Sequence, residues 1–188
     1  PGWDQGLVGA RAGEQSQPDI PAELAYGPTP TTEATGTTQP GGPPTGPLSF
    51  LVEVLAVVAP PDPESEPTAD DVPVSDEPAA EVVTDDLVEG DGATVDIGMT
   101  ALVNFVLARA DNGVILRSTW AQGAPSQLVL APSGQMDGLV EGLVGMRVGG
   151  RRVITVPYEL AFGEEGFPQA GLPARTDAVV VVDLVGAF

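Results

Sequence analysis

Two segments of this chain repeat one another, and the distance between them limits what the chain can fold into. Residues 2–27 (GWDQGLVGARAGEQSQPDIPAELAYG) align without a gap onto residues 138–163 (GLVEGLVGMRVGGRRVITVPYELAFG), and 12 of the 26 aligned positions are identical. The offset of 136 residues exceeds the roughly 20–45 residues of a solenoid repeat. It suits a duplicated domain followed by a linker, so the sequence predicts two copies of one domain.

A second match sets the boundaries of the copies. Residues 48–54 (LSFLVEV) correspond to residues 178–184 (AVVVVDL) at an offset of 130, so the first copy carries six extra residues. We expect them in a Pro/Thr/Gly-rich loop, residues 28–47, because loops absorb insertions at little cost. The second copy is predicted to span residues 82–188 completely. Residues 1–58 are predicted to hold only the C-terminal half of the first copy, which is truncated.

Charge is concentrated between the two copies. The chain has 27 acidic residues against seven arginines and no lysine, for a net charge of −20, which argues against nucleic acid as a partner because phosphate binding needs cations. Twelve acids fall between Asp62 and Asp91. Residues 59–81, which are also rich in proline, predict an extended acidic linker. A calcium loop is disfavoured because Asp91-Gly92 and its neighbours lack alternating ligands.

Several chemistries are excluded by absent residue types. The chain has no cysteine and no histidine, which excludes Ser-His, Cys-His and zinc-dependent catalysis. We therefore predict no metal and no cofactor. No apolar run approaches the roughly 18 residues of a membrane span, and the run Ala178–Val182 stops at Asp183.

The second copy reads mostly as strand. Thr100–Ala108 is β-branched and apolar, and Asp111-Asn112-Gly113 supplies a turn after it. Gly138–Val144 predicts one short helix. Further strands are predicted to begin at Val114 and to cover Gln127–Leu130, Arg151–Val156 and Asp177–Val185. Many strands with one helix indicate an α+β domain built on an antiparallel sheet.

The second copy resembles the FKBP-type peptidyl-prolyl isomerases over its whole length. The resemblance rests on the order and spacing of short landmarks: Gly90-Asp91-Gly92, Val103-Asn104-Phe105, Asn112-Gly113, Gly142-Leu143, Gly145-Met146, Pro157 to Gly163 (PYELAFG) and Pro173. It implies a five- or six-stranded antiparallel sheet curled around one short helix, with an apolar pocket between them. It also implies a monomer that rotates the bond preceding proline in polypeptides and takes the family's macrolide ligands.

Residue by residue, the resemblance implies a substrate pocket that differs from the family pattern. Its members are Phe105, Leu116, Arg117, Met136, Leu139, Phe162 and Val180. Leu139 stands where a tryptophan is usual, Phe162 where a tyrosine is usual, and Arg117 where the family has a carboxylate. Met136 stands where a backbone N–H commonly binds the substrate carbonyl. Arg117 is either a solvated surface residue or fills the pocket mouth, and Trp120 is expected as a lid or rim residue.

The first copy keeps the aromatic residues that the second has lost. Trp3, Tyr26 and Phe50 occupy the positions of Leu139, Phe162 and Val180, so the resemblance implies a better-preserved pocket there. The strands of the domain's first half are missing from it, however. Pro18 also interrupts the strand equivalent to residues 151–156, because proline cannot donate to a sheet.

Two functions remain open at this point. The first is a peptidyl-prolyl isomerase that assists protein folding, with low activity in the second copy. The alternative is a non-catalytic peptide-binding or chaperone module with the same fold. The lysine-poor, acidic and tandem character is similar to that of secreted or lipid-anchored actinobacterial members of the family, which implies a location outside the cytoplasm.

Overall fold

A computed structural model describes residues 1–27, 46–131 and 136–188 of the chain. The chain divides into two compact units, residues 1–57 and residues 58–188. Most of the predicted loop, residues 28–45, lies outside the described residues. Neither helix in the described part is long and apolar enough to cross a membrane.

The first unit has little regular structure over its described residues. Its elements are a short helix, a 3-10 turn over Ala22–Leu24 and four strands of two residues each: α1 (Gly2–Gly6), β1 (Gln15–Ser16), β2 (Asp19–Ile20), β3 (Leu48–Ser49) and β4 (Val52–Glu53). β1 pairs with β4 and β2 pairs with β3, both antiparallel. Pro18 lies between β1 and β2, as expected of a residue without a backbone N–H.

The second unit is built on one antiparallel sheet. Over the described residues its strands are β5 (Val83–Val88), β6 (Thr100–Arg109), β7 (Ile115–Ser118), β8 (Ser126–Val129), β9 (Arg151–Val156) and β10 (Ala178–Ala187). The order is β5-β9-β10-β6-β7, and β8 also pairs with β6. β6 has two partners on one edge because its first half pairs with β8 and its second half with β7. The predicted α+β fold with a five- or six-stranded antiparallel sheet is confirmed, and the sheet has six strands.

One short helix, α2 (Asp137–Leu143), packs closely against β9. Two glycines four residues apart on α2 make this approach possible. A Cβ at Gly138 would lie 2.5 Å from Val156 Cγ1, and one at Gly142 would overlap Ile154 Cγ2. Because neither side chain on β9 is exposed to solvent, larger residues at these positions would push the helix off the sheet.

The central strands are buried on both faces. Successive side chains of a strand point to opposite sides, so Val180 and Val182 of β10 belong to the core under α2, with Leu143 and Ile154. Val179 and Val181 point the other way and form a second cluster with Val72, Ala108, Ala110 and Val153. The near-continuous apolar run of β10 is therefore explained by its central position, as the sequence predicted.

Residues 58–79, which we name the strap, cover that second face. We expected residues 59–81 to extend between two domains, but the structure packs the strap on the sheet as part of the second unit. Val72 is only 5% exposed within the outer cluster. Composition predicted solvation because acids and prolines dominate this segment, but Pro67 and Val72 are buried.

Hydrogen bonds hold the strap along its length. Trp120 Nε1 donates to the carbonyl of Asp62 at 3.1 Å and to Ser65 Oγ at 3.2 Å. Further along, the backbone N–H of Ser75 donates to the carbonyl of Ala110 at 2.9 Å. Trp120 is 7% exposed, and its indole N–H donates to the strap. It is not among the described residues that line the pocket of this unit, so the expected position at the pocket rim is wrong.

The strap also contains local structure of its own. Two short 3-10 turns cover Pro63–Ser65 and Ala69–Asp71. The second begins with a capping box, in which the backbone N–H of Thr68 donates to Asp71 Oδ2 at 2.7 Å. This hydrogen bond lowers the pKa of Asp71 below its ordinary value. The carboxylate therefore stays charged and keeps the turn formed.

Val72→Asp tests whether the strap is packed. We expect the substitution to lower the free energy of unfolding by about 2 kcal/mol, because the strap must either bury a carboxylate or give up the burial of Val72. Val74→Asp is the matched control, since Val74 lies two residues away and is 56% exposed. Its effect is expected to stay within about 0.5 kcal/mol. Equal, small effects in urea unfolding followed by circular dichroism would contradict the packed strap.

Candidate functional site

An apolar cavity of about 420 Å³ lies on the α2 side of the sheet in the second unit. β6 contributes Val103, Phe105 and Leu107 to its wall, which alternate along the strand and so share one face. β10 contributes Val180 and Val182 by the same alternation. The strand pattern that builds the core thus also builds the floor of the cavity.

The helix and its approach close one side of the cavity. Leu139 and Leu143 of α2 line it, as does Met136 just before the helix. Met136 has φ 57° and ψ 36°, in the left-handed region that residues with side chains rarely occupy. Its backbone N–H donates to the carbonyl of Ala161 at 3.3 Å. This donor, expected to meet a substrate carbonyl, therefore has a partner within the protein, although a long hydrogen bond is a weak one.

Two stacked phenylalanines form the opposite rim. The rings of Phe162 and Phe167 are 5.3 Å apart between centroids and inclined by 12°. Both belong to the segment between β9 and β10, and Phe167 is 41% exposed. Paired backbone hydrogen bonds between Phe167 and Leu172 fix the turn that carries the second ring. The family resemblance identified Phe162 as a pocket residue but not Phe167, which lies in a loop without a periodic sequence pattern.

Arg117 carries the only charge among the described residues that line the cavity. Its guanidinium lies over the ring of Phe105, with 5.8 Å from Cζ to the ring centroid. This is the geometry of a cation–π contact. Arg117 is exposed and forms no ion pair with any described carboxylate. It therefore borders the cavity without closing it.

The structure brings together six of the seven predicted pocket residues of the second copy. These are Phe105, Arg117, Met136, Leu139, Phe162 and Val180. Leu116 is not among the lining residues. It precedes Arg117 on β7 at a β-bulge, because Arg117 pairs with Leu107 and Ile115 pairs with Ala108, which leaves Leu116 without a partner on β6. Its Cδ2 lies beside Gly171.

Other lining residues were missed although a signal for them existed. Val103 and Leu107 lie two residues either side of Phe105, and Val182 lies two residues after Val180. Applying the period of two to the identified residues would have found all three. Ser126, Gln127 and Leu128 of β8 complete this side. Their position depends on the pairing of β8 with β6, a long-range contact.

The predicted pocket residues of the first unit are only partly together. The rings of Trp3 and Phe50 are 4.7 Å apart between centroids, inclined by 48°. Tyr26 is 65% exposed, and Trp3 is 43% exposed. Two of the three predicted aromatic residues thus form a contact, while Tyr26 faces solvent.

Asp177 fixes the segment that carries Phe162. Its side chain is buried and accepts two backbone N–H donors, from Tyr158 at 2.8 Å and from Ala79 at 2.6 Å. Its own carbonyl accepts the N–H of Ala110. One residue thus joins the end of β6, the end of the strap and the start of the aromatic rim. The strap is connected to the site through this carboxylate.

A protein-family model described as FKBP-type peptidyl-prolyl cis-trans isomerase matches residues 1–55 and 92–185. A probable FK506-binding protein of Corynebacterium glutamicum is 37% identical over 117 residues, which are 62% of this chain and 95% of that protein. An FK506-binding protein of Streptomyces anulatus is 33% identical over 109 residues, 58% of this chain and 88% of that protein. The mouse peptidyl-prolyl cis-trans isomerase FKBP10 is 33% identical over 185 residues, 98% of this chain but 28% of its own length.

Solved structures agree with the fold. The N-terminal domain of FKBP42 from Arabidopsis thaliana superimposes with a TM-score of 0.55 at 24% identity, covering 70% of this chain and 99% of that domain. FkpA from Escherichia coli gives a TM-score of 0.50 at 27% identity, covering 56% of this chain and 47% of that protein. The sheet and helix described above are therefore the fold of these proteins.

Asp177→Asn tests the link between the carboxylate and the rim. The amide would turn an NH₂ group toward one of the two backbone N–H donors, so we expect a loss of about 1–3 kcal/mol of unfolding free energy. We also expect faster hydrogen exchange of the Tyr158 amide, measured by NMR. Asp76→Asn in the exposed part of the strap is the control and should change neither. An unchanged Tyr158 exchange rate in Asp177→Asn would contradict the anchoring role.

Proposed function

Because the chain belongs to the family of FKBP-type peptidyl-prolyl cis-trans isomerases, we propose that the cavity beside Phe105 and Phe162 is where the second unit binds a prolyl residue. The supporting observation is a nearly uncharged hollow of about 420 Å³. Its size and lining suit a small apolar ring. We propose the same cavity for the macrolide ligands for which the relatives are named.

The reaction requires a dry surface more than it requires reactive groups. Rotation about the prolyl bond has a barrier of roughly 18–20 kcal/mol, because the planar amide is stabilised by resonance. The twisted amide has lost that resonance and is less polar than the planar one. An apolar cavity therefore favours the twisted form relative to water. This agrees with a chain that has no histidine and no cysteine.

We propose that turnover in this cavity is slow. Phe162 has no hydroxyl to orient the peptide, and Arg117 stands where the resemblance implies a carboxylate. The N–H of Met136 already donates to Ala161. Each missing hydrogen bond to the substrate costs about 0.5–1.5 kcal/mol of transition-state stabilisation. The apolar floor of Phe105, Val180 and Leu139 is left to supply most of the effect.

A peptide-binding or chaperone module without useful turnover is the second candidate. The hydrogen bond from the Met136 N–H to the carbonyl of Ala161 favours this second candidate. While that hydrogen bond is formed, the N–H cannot bind the rotating carbonyl of a substrate. The stacked rings of Phe162 and Phe167 offer apolar surface to a chain whether or not it isomerises. Binding without acceleration is the outcome that separates this candidate from the first.

We also propose that residues 1–57 are part of another copy of the domain. The match of the family model to residues 1–55 supports this, in addition to the internal repeat. The contact of Trp3 with Phe50 supports an aromatic pocket in that copy. We further propose that the protein works outside the cytoplasm, from the resemblance of its acidic, lysine-free composition to secreted and lipid-anchored members.

A protease-coupled assay of a proline tetrapeptide on the full chain tests the activity. We expect a rate above the buffer rate, and we expect Phe162→Tyr to raise kcat/KM about two- to tenfold, because the new hydroxyl adds one hydrogen bond. Phe188→Tyr is the matched control, since Phe188 does not line the cavity. A rate equal to buffer, with peptide binding still visible by NMR, would replace the isomerase with the binding module.

Fractionation of the source cells with an antibody to the chain tests the location. We expect the protein in the cell-wall, membrane or secreted fraction. Recovery together with a cytoplasmic marker would contradict a location outside the cytoplasm.

A further inference from the structure

Arg117 is one of three arginines, with Arg11 and Arg147, that form no ion pair among the described residues, and of these three it alone lines the cavity. With 27 acidic residues and seven arginines, carboxylate partners are abundant. Arg109, Arg151, Arg152 and Arg175 each form an ion pair with one. The Arg117 guanidinium lies over the ring of Phe105 and forms no hydrogen bond or ion pair with the described residues. Its hydrogen-bond donors therefore remain available at the edge of the cavity.

The surroundings of Arg117 favour an anion from outside the protein. No acidic side chain is among the described residues that line the cavity, and its polar members Ser126 and Gln127 are neutral. Contact with Phe105 holds the guanidinium at the rim. A planar guanidinium binds a carboxylate through two parallel N–H donors. A carboxylate arriving with a peptide would thus meet a positioned and unpaired partner.

We propose that Arg117 makes the cavity select polypeptides in which an acidic residue immediately precedes proline. This rests on the proposed function, in which the proline ring enters between Phe105 and Phe162. The rotating bond joins proline to the residue before it, so that residue is held at the mouth. Adjacent residues of a chain are about 3.8 Å apart at Cα. Their side chains thus lie within reach of a flexible arginine that borders the same cavity.

The net negative charge of the chain opposes the binding of acidic peptides, so the proposed selection depends on the short-range contact with Arg117. At −20 the protein repels acidic peptides at long range, an effect that salt screens beyond about 8–10 Å. The Arg117 contact acts within that distance. Comparing two variants that both lose one arginine removes the long-range contribution, because their net charges are equal. Arg147 suits this purpose, since it is exposed and only its Nη2 contacts the backbone carbonyl of Asp91.

The experiment uses the full chain and three tetrapeptides that differ only in Glu, Gln or Lys before proline. Discrimination is the ratio of kcat/KM for the Glu peptide to that for the Gln peptide, and NMR titration gives the same ratio for binding. We expect the kinetic ratio and the binding ratio to be about three- to tenfold lower in Arg117→Gln than in the unmodified chain. In Arg147→Gln both ratios should equal those of the unmodified chain. Arg117→Lys should keep part of the preference, and Arg117→Glu should favour a Lys peptide.

Each outcome has a defined meaning. Equal Glu-to-Gln ratios in the unmodified chain and in Arg117→Gln would overturn the selection. A Glu-to-Gln ratio that falls equally in Arg117→Gln and Arg147→Gln would also overturn it, because the preference would then depend on net charge alone. If no peptide is isomerised but the binding ratio still depends on Arg117, the proposed reaction fails while the selection stands. Because Arg117 is exposed, thermal unfolding of each variant is expected to match the unmodified chain.

Discussion

The second unit depends on covering both faces of its central strands. Val179 to Val182 of β10 are each at most 1% exposed, whereas an antiparallel sheet commonly leaves one face to water. Burial of each such side chain contributes about 1.5–3 kcal/mol, and a whole domain is stable by only about 5–15 kcal/mol. Leaving either face open would cost a large part of that stability. The acidic strap is therefore as necessary to this fold as α2.

The same constraint produces the cavity. α2 has seven residues and spans only about 10 Å at 1.5 Å per residue, and its glycines hold it tightly on β9. It cannot cover the parts of β6 and β10 that carry Phe105 and Val180. The segment with Phe162 and Phe167 reaches over them without filling the space. The site is apolar because it is a part of the core that is covered but not filled.

The accuracy of sequence reasoning differed between elements for physical reasons. β9 was predicted with its observed bounds, and β6 and β10 to within a few residues, because long apolar or β-branched runs have few other solutions. The strap was misjudged because its composition predicts solvation, while the position of Val72 and the bond from Trp120 depend on partners far away in sequence. Within the site, resemblance supplied Phe105 and Phe162. The resemblance also placed Leu116 in the pocket, because a resemblance in sequence transfers residue positions and not the directions of side chains.

Fold and reaction share apolar residues of the core in this protein, whereas the proposed selectivity rests on a residue at the rim. An enzyme that transfers protons loses its mechanism when a catalytic acid or base is replaced. Prolyl isomerisation in a dry cavity needs no proton transfer, so phenylalanine at position 162 or leucine at position 139 changes how a peptide is held and leaves the apolar floor intact. An arginine at the rim then adds a charge-dependent contact that the sheet does not require. Sequence change at the rim can therefore alter which chains are bound while Val180 and its neighbours preserve the fold.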